Sequence, residues 1–370
     1  MNVRFLSAPI VGAAVLVSIV AFSSPAQVRV AARASIETIA TGLLNPRGLA
    51  FGPEGALYVA EAGRGGNGNC VISAEGGQVC FGETGAITRI DPLVLGSQVR
   101  IITGLPSIAA QPAGARAQGP QDIGFQGRGN GYVTIGFANA PTLRDGLGEG
   151  GKNLASLMRF QPNGKYQFTQ DLGDFEQDTN PDGGLKDTNP FGLAALPSRT
   201  LYVDAGGNSL NEVRTNGTIR TLAVFPNINA ILPNGAHVSV QGVPTSVVQG
   251  PGGALYIGQL TGAPFPLGAA NVYRYTANGG LDVFVTGFTN IIDIAFGPDG
   301  DLYVLELDNN GLATAGGSGA ITRVDGTGGK HPVISGLVAP GGIAFGPDGH
   351  IYVTTGTVLA GGGQVMRIIQ

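Results

Sequence analysis

The chain has 370 residues, of which 43% are hydrophobic and only 12% are charged. This hydrophobic content is ample for a core and excludes a disordered chain, and a net charge of −4 argues against nucleic-acid binding, which needs clustered Lys and Arg. The 63 glycines indicate many tight turns, and no stretch shows the sustained 3.6-residue period of a long amphipathic helix. An all-β chain is therefore favoured.

The first 26 residues are typical of a secretory signal peptide. Arg4 supplies the positive start, residues 8–22 form an apolar run, and small residues precede a cleavage site after residue 26. The run is shorter than the roughly 20 apolar residues that a spanning helix needs. We therefore expect export to the periplasm or the medium, a short linker over residues 27–35, and no membrane segment after cleavage.

One motif recurs six times along residues 36–370, most clearly as IAFGPDG at residues 294–300 and 343–349. Each copy predicts a β-hairpin, because an apolar strand and a Gly/Pro/Asp turn precede a second strand that carries a tyrosine. These tyrosines are Tyr58, Tyr132, Tyr202, Tyr256, Tyr303 and Tyr352. A third strand then ends at an arginine, at Arg89, Arg159, Arg214, Arg274, Arg323 and Arg367.

A fourth strand follows in five copies, whereas the sixth copy reaches Gln370 without one. The segment IETIATGL at residues 36–43 has the pattern of the missing strand and precedes the first hairpin. We therefore predict a six-bladed β-propeller over residues 36–370. Its blades are four-stranded and antiparallel, and the N-terminal strand closes the last blade.

Long connections are expected on one face of this propeller, between second and third strands and between blades. Because loops that exceed about 12–15 residues are usually functional, this face is predicted to bind a ligand. Arg64 begins a glycine-rich loop able to cradle an anion, and the acids at the ends of second strands either bind a ligand or hold a turn in place. The candidate ligand-binding residues are Arg47, Glu61, Arg64, Asp204, Gln259 and Glu306.

One position near the start of each innermost strand carries Gly48, Asp122, Gly192, Ser246, Asp293 and Gly342. Blades 2 and 5 are opposite in a six-fold ring, so Asp122 and Asp293 are expected to face each other across the channel. Paired carboxylates repel unless a cation, a proton or a ligand lies between them, and calcium suits such oxygen-rich surroundings. Asp122, Asp293 and Ser246 therefore form a candidate calcium site. Alternatively, each aspartate accepts N–H bonds from its blade-to-blade connection.

A second acidic cluster, with Glu176, Asp178, Asp182 and Asp187, lies in the segment FEQDTNPDGGLKDTNP, residues 175–190, and Asp178 and Asp182 are its candidate calcium ligands. The segment only partly matches a calcium loop, and a solvated turn with side-chain to backbone bonds is the alternative.

Cys70 and Cys80 are predicted to form a disulfide, because a disulfide is the simplest interpretation of a single close pair of cysteines in an exported chain. A metal site is less favoured there, since no histidine is nearby.

Several longer segments are unlike a generic propeller consensus: LYVAEAGRGG from Leu57, GYVTIG, VDAGGNSL, YIGQLTGAPFP and GFTNIIDIAF. Together they resemble the secreted ScyD/ScyE family, relatives of NHL-repeat propellers whose founding members are encoded with biosynthesis of the cyanobacterial pigment scytonemin. The resemblance covers about residues 36–370. It implies an exported six-bladed propeller with an accessory role in secondary metabolism, and it transfers no catalytic residue.

Three functions are compatible with these features. The first is a propeller that binds a small organic ligand or a protein partner on its loop-rich face. The second is a calcium-dependent lactonase or hydrolase, in which an axial ion polarises a carbonyl. The third is a quinone-dependent sugar or aldehyde dehydrogenase, which is disfavoured because no histidine begins an innermost strand.

Overall fold

The chain forms six four-stranded antiparallel sheets arranged as a β-propeller, which confirms the predicted fold class. The computed structural model describes residues 29–30, 35–74, 76–94, 96–127, 129–312 and 318–369. The predicted signal peptide lies outside these residues. Within the expected linker, Arg29–Val30 forms a short strand on the outer strand of blade 5. No helix in the described ranges is long and apolar enough to span a membrane.

Blades are numbered 1 to 6 along the chain, and strands are numbered from the axis outwards. The innermost strands are Pro46–Phe51, Pro120–Gln126, Pro190–Leu196, Pro244–Gln249, Ile291–Phe296 and Gly342–Phe345. The second strands are Leu57–Glu61, Asn130–Ile135, Arg199–Asp204, Leu255–Gln259, Leu302–Glu306 and Ile351–Thr355. The third strands are Gln78–Ile90, Ser156–Phe160, Ser209–Arg214, Ala270–Thr276, Gly319–Val324 and Ala360–Ile369. The fourth strands are Val99–Ala109, Tyr166–Asp171, Ile219–Val224, Gly280–Phe288, Lys330–Leu337 and, in blade 6, Ser35–Leu44.

The ring closes as predicted, because the N-terminal strand supplies the outer strand of the last blade. Ser35–Leu44 pairs antiparallel with Ala360–Ile369, and its register places Ile36 opposite Ile368 and Thr38 opposite Met366. The first and last segments of the propeller therefore share one sheet, which protects the edges that would otherwise be open.

Packing between blades explains why the seven-residue motif IAFGPDG recurs. The tyrosine of a second strand contacts the phenylalanine that ends the next blade's innermost strand, with ring centroids 4.8 Å apart for Tyr58 and Phe125 and 4.7 Å apart for Tyr303 and Phe345. The tyrosine hydroxyl also donates to the acid of its own hairpin turn, as from Tyr303 to Asp299 at 2.9 Å. Blades 1, 5 and 6 thus each supply both an aromatic pair and an acid-bonded tyrosine hydroxyl to the core.

Blade 3 departs from this register. Ala50 of blade 1 pairs with Tyr58, but the equivalent Ala194 of blade 3 pairs with Leu201, and Tyr202 lies opposite Leu193. The register of the blade 3 hairpin differs by one residue, and a one-residue shift moves a side chain to the other face of a strand. The equivalence of Tyr202 with the other tyrosines, expected from the repeats, is therefore wrong. Its ring lies in a cluster with Leu157 and Leu172.

The long connections lie at one end of the sheets, where second strands end and third strands begin; this end is called the loop face, and the opposite end the turn face. Several connections expected to be loops contain regular structure. They hold the α-helix Leu172–Thr179, the 3-10 helices Pro141–Leu147 and Glu149–Asn153, the strand Cys70–Ile72, and the hairpin strands Ile228–Ile231 and His237–Val240. A further short 3-10 helix, Pro251–Gly253, lies on the turn face.

Candidate functional site

The axis of the propeller is nearly filled by its innermost strands. A side chain at Gly48 would overlap the carboxylate of Asp122, and a Cβ at Gly342 would lie 2.9 Å from the Cα of Gly48. The remaining cavity of ≈ 10 Å³ is lined by Gly48, Gln121, Asp122, Phe191, Thr245, Ile292, Asp293 and Gly341. This volume suits about one water molecule. The glycines of the axial column are therefore required by close approach of the strands.

Asp122 and Asp293 both line this axial cavity, as the sequence predicts, and each also connects two blades. Asp122 Oδ1 accepts from the backbone N–H of Ile123 at 2.8 Å, and its Oδ2 accepts from Leu193 of blade 3 at 2.7 Å. Asp293 accepts in the same way from its own neighbour and from Ile343 of blade 6, each at 2.8 Å. Both aspartates therefore make the backbone hydrogen bonds between blades that the alternative, structural role requires.

Burial dominates the electrostatics of the axial pair. The two side chains keep some accessible surface and line the narrow axial cavity. Burial raises the pKa of Asp122, and burial together with the charge of Asp122 raises the pKa of Asp293 well above its usual range. The pair therefore favours a bound proton or cation over two bare charges.

Ser246 occupies the same column, but its hydroxyl faces its own blade. It is buried without a hydrogen-bond partner, and a Cβ at Gly258 of the second strand would lie 2.5 Å from its Oγ.

The polar residues that end second strands are buried and hold the preceding connection in place. Glu61 accepts from the N–H of Leu44 and Glu306 accepts from that of Thr289, each at 2.7 Å. Gln259 instead accepts from the N–H of Asn271 at 3.2 Å. Exposure is 0% for Glu61 and Gln259 and 8% for Glu306.

Asp204 ends the second strand of blade 3 and plays the same structural part. It accepts from the N–H groups of Asn189, Gly206 and Gly207 and from the hydroxyl of Thr188, at 2.7 to 3.1 Å. Burial raises the pKa of Asp204, although these hydrogen bonds act to lower it. All four predicted ligand-binding residues at the ends of second strands are therefore already committed to the fold.

The two candidate arginines differ in accessibility. Arg47 is 7% exposed, and its guanidinium donates to the carbonyl of Ala117 at 2.7 Å. Arg64 is exposed on the loop face, and its backbone carbonyl accepts from Gln111 at 2.8 Å. Of the predicted ligand-binding residues, Arg64 is the one most available to a ligand.

The acidic segment before blade 3 is organised by the helix Leu172–Thr179. Asp178 is exposed on this helix, and Asp182 lies beyond it, accepting from the N–H of Gly184 at 2.7 Å and from Asn208 at 2.9 Å. Glu176 instead points inward, is 1% exposed, and has no partner for its Oε1. Burial, together with the charges of Asp204, Asp182 and Asp187, raises the pKa of Glu176 to about 8.

Glu176 belongs to the predicted acidic cluster but is not among its predicted ligands. The sequence predicts a loop here, whereas the 3.6-residue period of one short helix decides which acid is buried. Within the described residues, no group of three Asp, Glu, His or Cys side chains is placed to hold a metal ion.

The predicted disulfide is confirmed. Cys70 and Cys80 are joined on paired strands of a small hairpin that extends the sheet of blade 1. This hairpin contacts blade 2, since Asn69 donates to the carbonyl of Gly146 at 3.0 Å.

Exposed apolar side chains are spread over the connections of the loop face, and this set is called the apolar crown. Exposure ranges from 37% for Leu143 to 80% for Leu185. Neighbouring connections contact each other, as where a Cβ at Gly311 would lie 2.7 Å from the side chain of Leu267. The crown consists of Ile72, Leu143, Leu185, Ile231, Leu267, Leu312 and Leu359. Exposed apolar side chains mark a binding surface where they form a contiguous patch.

No protein-family model matches the chain, and no curated protein matches it. Solved propellers match over nearly its whole length. A gluconolactonase of Xanthomonas campestris is 12% identical, with a TM-score of 0.54, over 93% of this chain and 95% of its own. Pseudomonas fluorescens PhoX, solved with vanadate, is 12% identical, with a TM-score of 0.55, over 94% and 97%. At such low identity the likeness shows the fold alone.

Proposed function

We propose that this protein is an exported binding propeller whose loop face holds an apolar organic ligand. The observation that carries the proposal is the apolar crown, which brings exposed aliphatic side chains from the connections of all six blades to one rim. Arg64 lies on the same face and provides an exposed cation for an acidic group of the ligand. The resemblance to ScyD/ScyE proteins supports an accessory role in secondary metabolism, and the disulfide is consistent with export.

The axial channel supports binding over hydrolysis. A lactonase-like mechanism places the substrate carbonyl beside an axial calcium, and the ≈ 10 Å³ cavity has no room for an organic substrate. The facing pair of Asp122 and Asp293 is the observation that keeps this second candidate open, because its buried charges favour a bound proton or cation. A dehydrogenase gains little support, since His331 is exposed and bonded to Asp325 at 2.8 Å.

An apolar fluorescent dye such as 8-anilinonaphthalene-1-sulfonate tests the proposal. We expect saturable binding to the folded protein, weakened at least about tenfold in a variant with Ile72→Ser, Leu185→Ser and Ile231→Ser, because each lost aliphatic side chain removes on the order of 1–2 kcal/mol of apolar contact. The matched control carries Leu93→Ser and Val94→Ser on the turn face, where exposure is similar.

Equal dye affinity in the two variants would remove the crown as the binding surface. Native mass spectrometry of protein exported from its own host then separates the ligand classes. A co-purifying small molecule supports an organic ligand, whereas a bound polypeptide on the same face points to a protein partner and overturns the proposed ligand class.

A further inference from the structure

A second site, independent of the loop-face ligand, lies between the helix Leu172–Thr179 and blade 3. Glu176 projects from the buried side of this helix toward the double glycine that follows Asp204. A Cβ built on Gly207 would lie 2.6 Å from Glu176 Oε2 and 3.4 Å from Asp204 Cγ. Two buried carboxylates are therefore close neighbours here, and only a glycine leaves the space between helix and strand end.

Acidic neighbours surround Glu176. Besides burial, the charges of Asp204, Asp182 and Asp187 raise its pKa, whereas Lys186 lowers it. The Lys186 ammonium donates to the backbone carbonyl of Gln177 at 2.5 Å, and its side chain is exposed. A buried carboxylate is normally hydrogen-bonded or paired with a cation, yet Glu176 Oε1 has neither.

Tyr202 provides an independent indication that something binds here. The register shift of blade 3 turns its ring toward Leu172, at the start of the helix. Its hydroxyl is fully buried, has no partner, and lies within the electrostatic reach of Asp204 and Glu176. The hydroxyls of Tyr303 and Tyr352, whose blades keep the common register, are bonded to acids of their own turns.

We propose that this space binds a hard divalent cation, with Glu176 as the direct carboxylate ligand. The Tyr202 hydroxyl, backbone oxygens and water complete the shell, whereas Asp204 keeps its bonds to the strand end and adds negative potential. Few carboxylates and several neutral oxygens are the ligands that Mg²⁺ and Ca²⁺ accept. The cation would connect the helix to blade 3 and satisfy both orphaned oxygens.

Terbium luminescence tests this assignment, because Tb³⁺ replaces Ca²⁺ and emits when a nearby aromatic ring is excited. The chain has no tryptophan, so tyrosine is the sensitiser. We expect saturable Tb³⁺ emission from the full exported protein, displaced by Ca²⁺, and a melting temperature several degrees higher in Ca²⁺ than in chelator. Tyr202→Phe should lose most of the emission but keep most of the thermal response.

Two variants separate this site from the axial pair. Glu176→Gln should weaken apparent Ca²⁺ affinity by more than about tenfold, as is usual when metal coordination is disturbed. Asp122→Asn should leave both the emission and the thermal response unchanged. The proposal is overturned if the wild-type protein shows no response to Ca²⁺, Mg²⁺ or Tb³⁺, or if Asp122→Asn abolishes the response while Glu176→Gln retains it.

Discussion

Blades 1 and 3 place an acid at the same point, the end of the second strand, and neutralise it differently. Glu61 of blade 1 is fully buried and forms a two-pronged ion pair with Arg100, at 2.9 Å to Nε and 2.8 Å to Nη2. Asp204 of blade 3 is bonded by backbone N–H groups and one hydroxyl, and its neighbour is a second buried acid, Glu176.

The difference shows how a position that recurs from blade to blade can have a different charge balance in each blade. Where the blade supplies its own arginine, the buried carboxylate is complete and holds the turn. Where it supplies further carboxylates instead, we propose that an external cation balances the local charge. Variants that remove an arginine from blade 1 or an acid from blade 3 distinguish the two cases.

Removing the arginine of blade 1 should have the largest effect. Arg100→Ala leaves Glu61 buried without its cation, and such broken pairs cost about 3 kcal/mol or more of the free energy of unfolding. Urea unfolding measures the change. Arg89→Ala is the matched control, because Arg89 and Glu54 are 3.6 Å apart and about one-third exposed, so about 1 kcal/mol or less is expected. Equal losses in both variants would contradict the role assigned to Arg100.

Acid titration extends the comparison to Glu212 of blade 3, an acid that does have cations. Burial would raise its pKa, but hydrogen bonds from arginines outweigh burial and lower the pKa to about 2. The arginines are Arg214, Arg220 and Arg199.

The sign of the pH effect follows from this lowered pKa. The stabilisation by Glu212 is present above its unfolded pKa of about 4.3 and is lost as pH falls through about 2. Because the arginines are one-third to one-half exposed, we expect about 2 kcal/mol. Glu212→Gln should be less stable at pH 7 and lose less stability between pH about 4 and about 2. Parallel curves for the two proteins would refute this account.

Acids that join blades without any cation should have an intermediate effect. Asp122→Ala removes the acceptor for Leu193 N–H of the next blade, and an unsatisfied buried N–H costs about 1–3 kcal/mol. Thermal unfolding provides the measurement, with Asp178→Ala as a control at an exposed acid that should change stability by less than about 0.5 kcal/mol. Equal stability of these two variants would contradict the structural role of Asp122.

The smallest effect is expected at the disulfide. Replacing Cys70 and Cys80 together with serine releases only a rim hairpin, so global stability should fall by about 1 kcal/mol or less, well below the 2–5 kcal/mol typical of small disulfide-held domains. Limited proteolysis should then cut between residues 70 and 80 without unfolding the blades. Cooperative loss of the whole fold would show that this hairpin holds blade 1 together.

By itself the sequence determined the architecture: six repeated hairpins, the orphan strand that closes the ring, the pairing of Cys70 with Cys80, and the axial column with Asp122 and Asp293. These features depend on local patterns, because strand alternation and turn residues act within a few positions. The turn segment LPSRT, residues 196–200, has the same length as GPDGD at residues 297–301 but lacks its glycines, and this was the available signal that Tyr202 would leave the common register.

Only the tertiary structure decided which acids are neutralised. Glu61 meets an arginine 39 positions away, whereas Asp204 meets a helix that brings Glu176 inward. It also decided that most predicted ligand-binding residues are buried in the blades and that aliphatic side chains form the accessible rim. The physical reason is that burial and charge balance depend on neighbours distant in the chain, and these are brought together only when the ring closes.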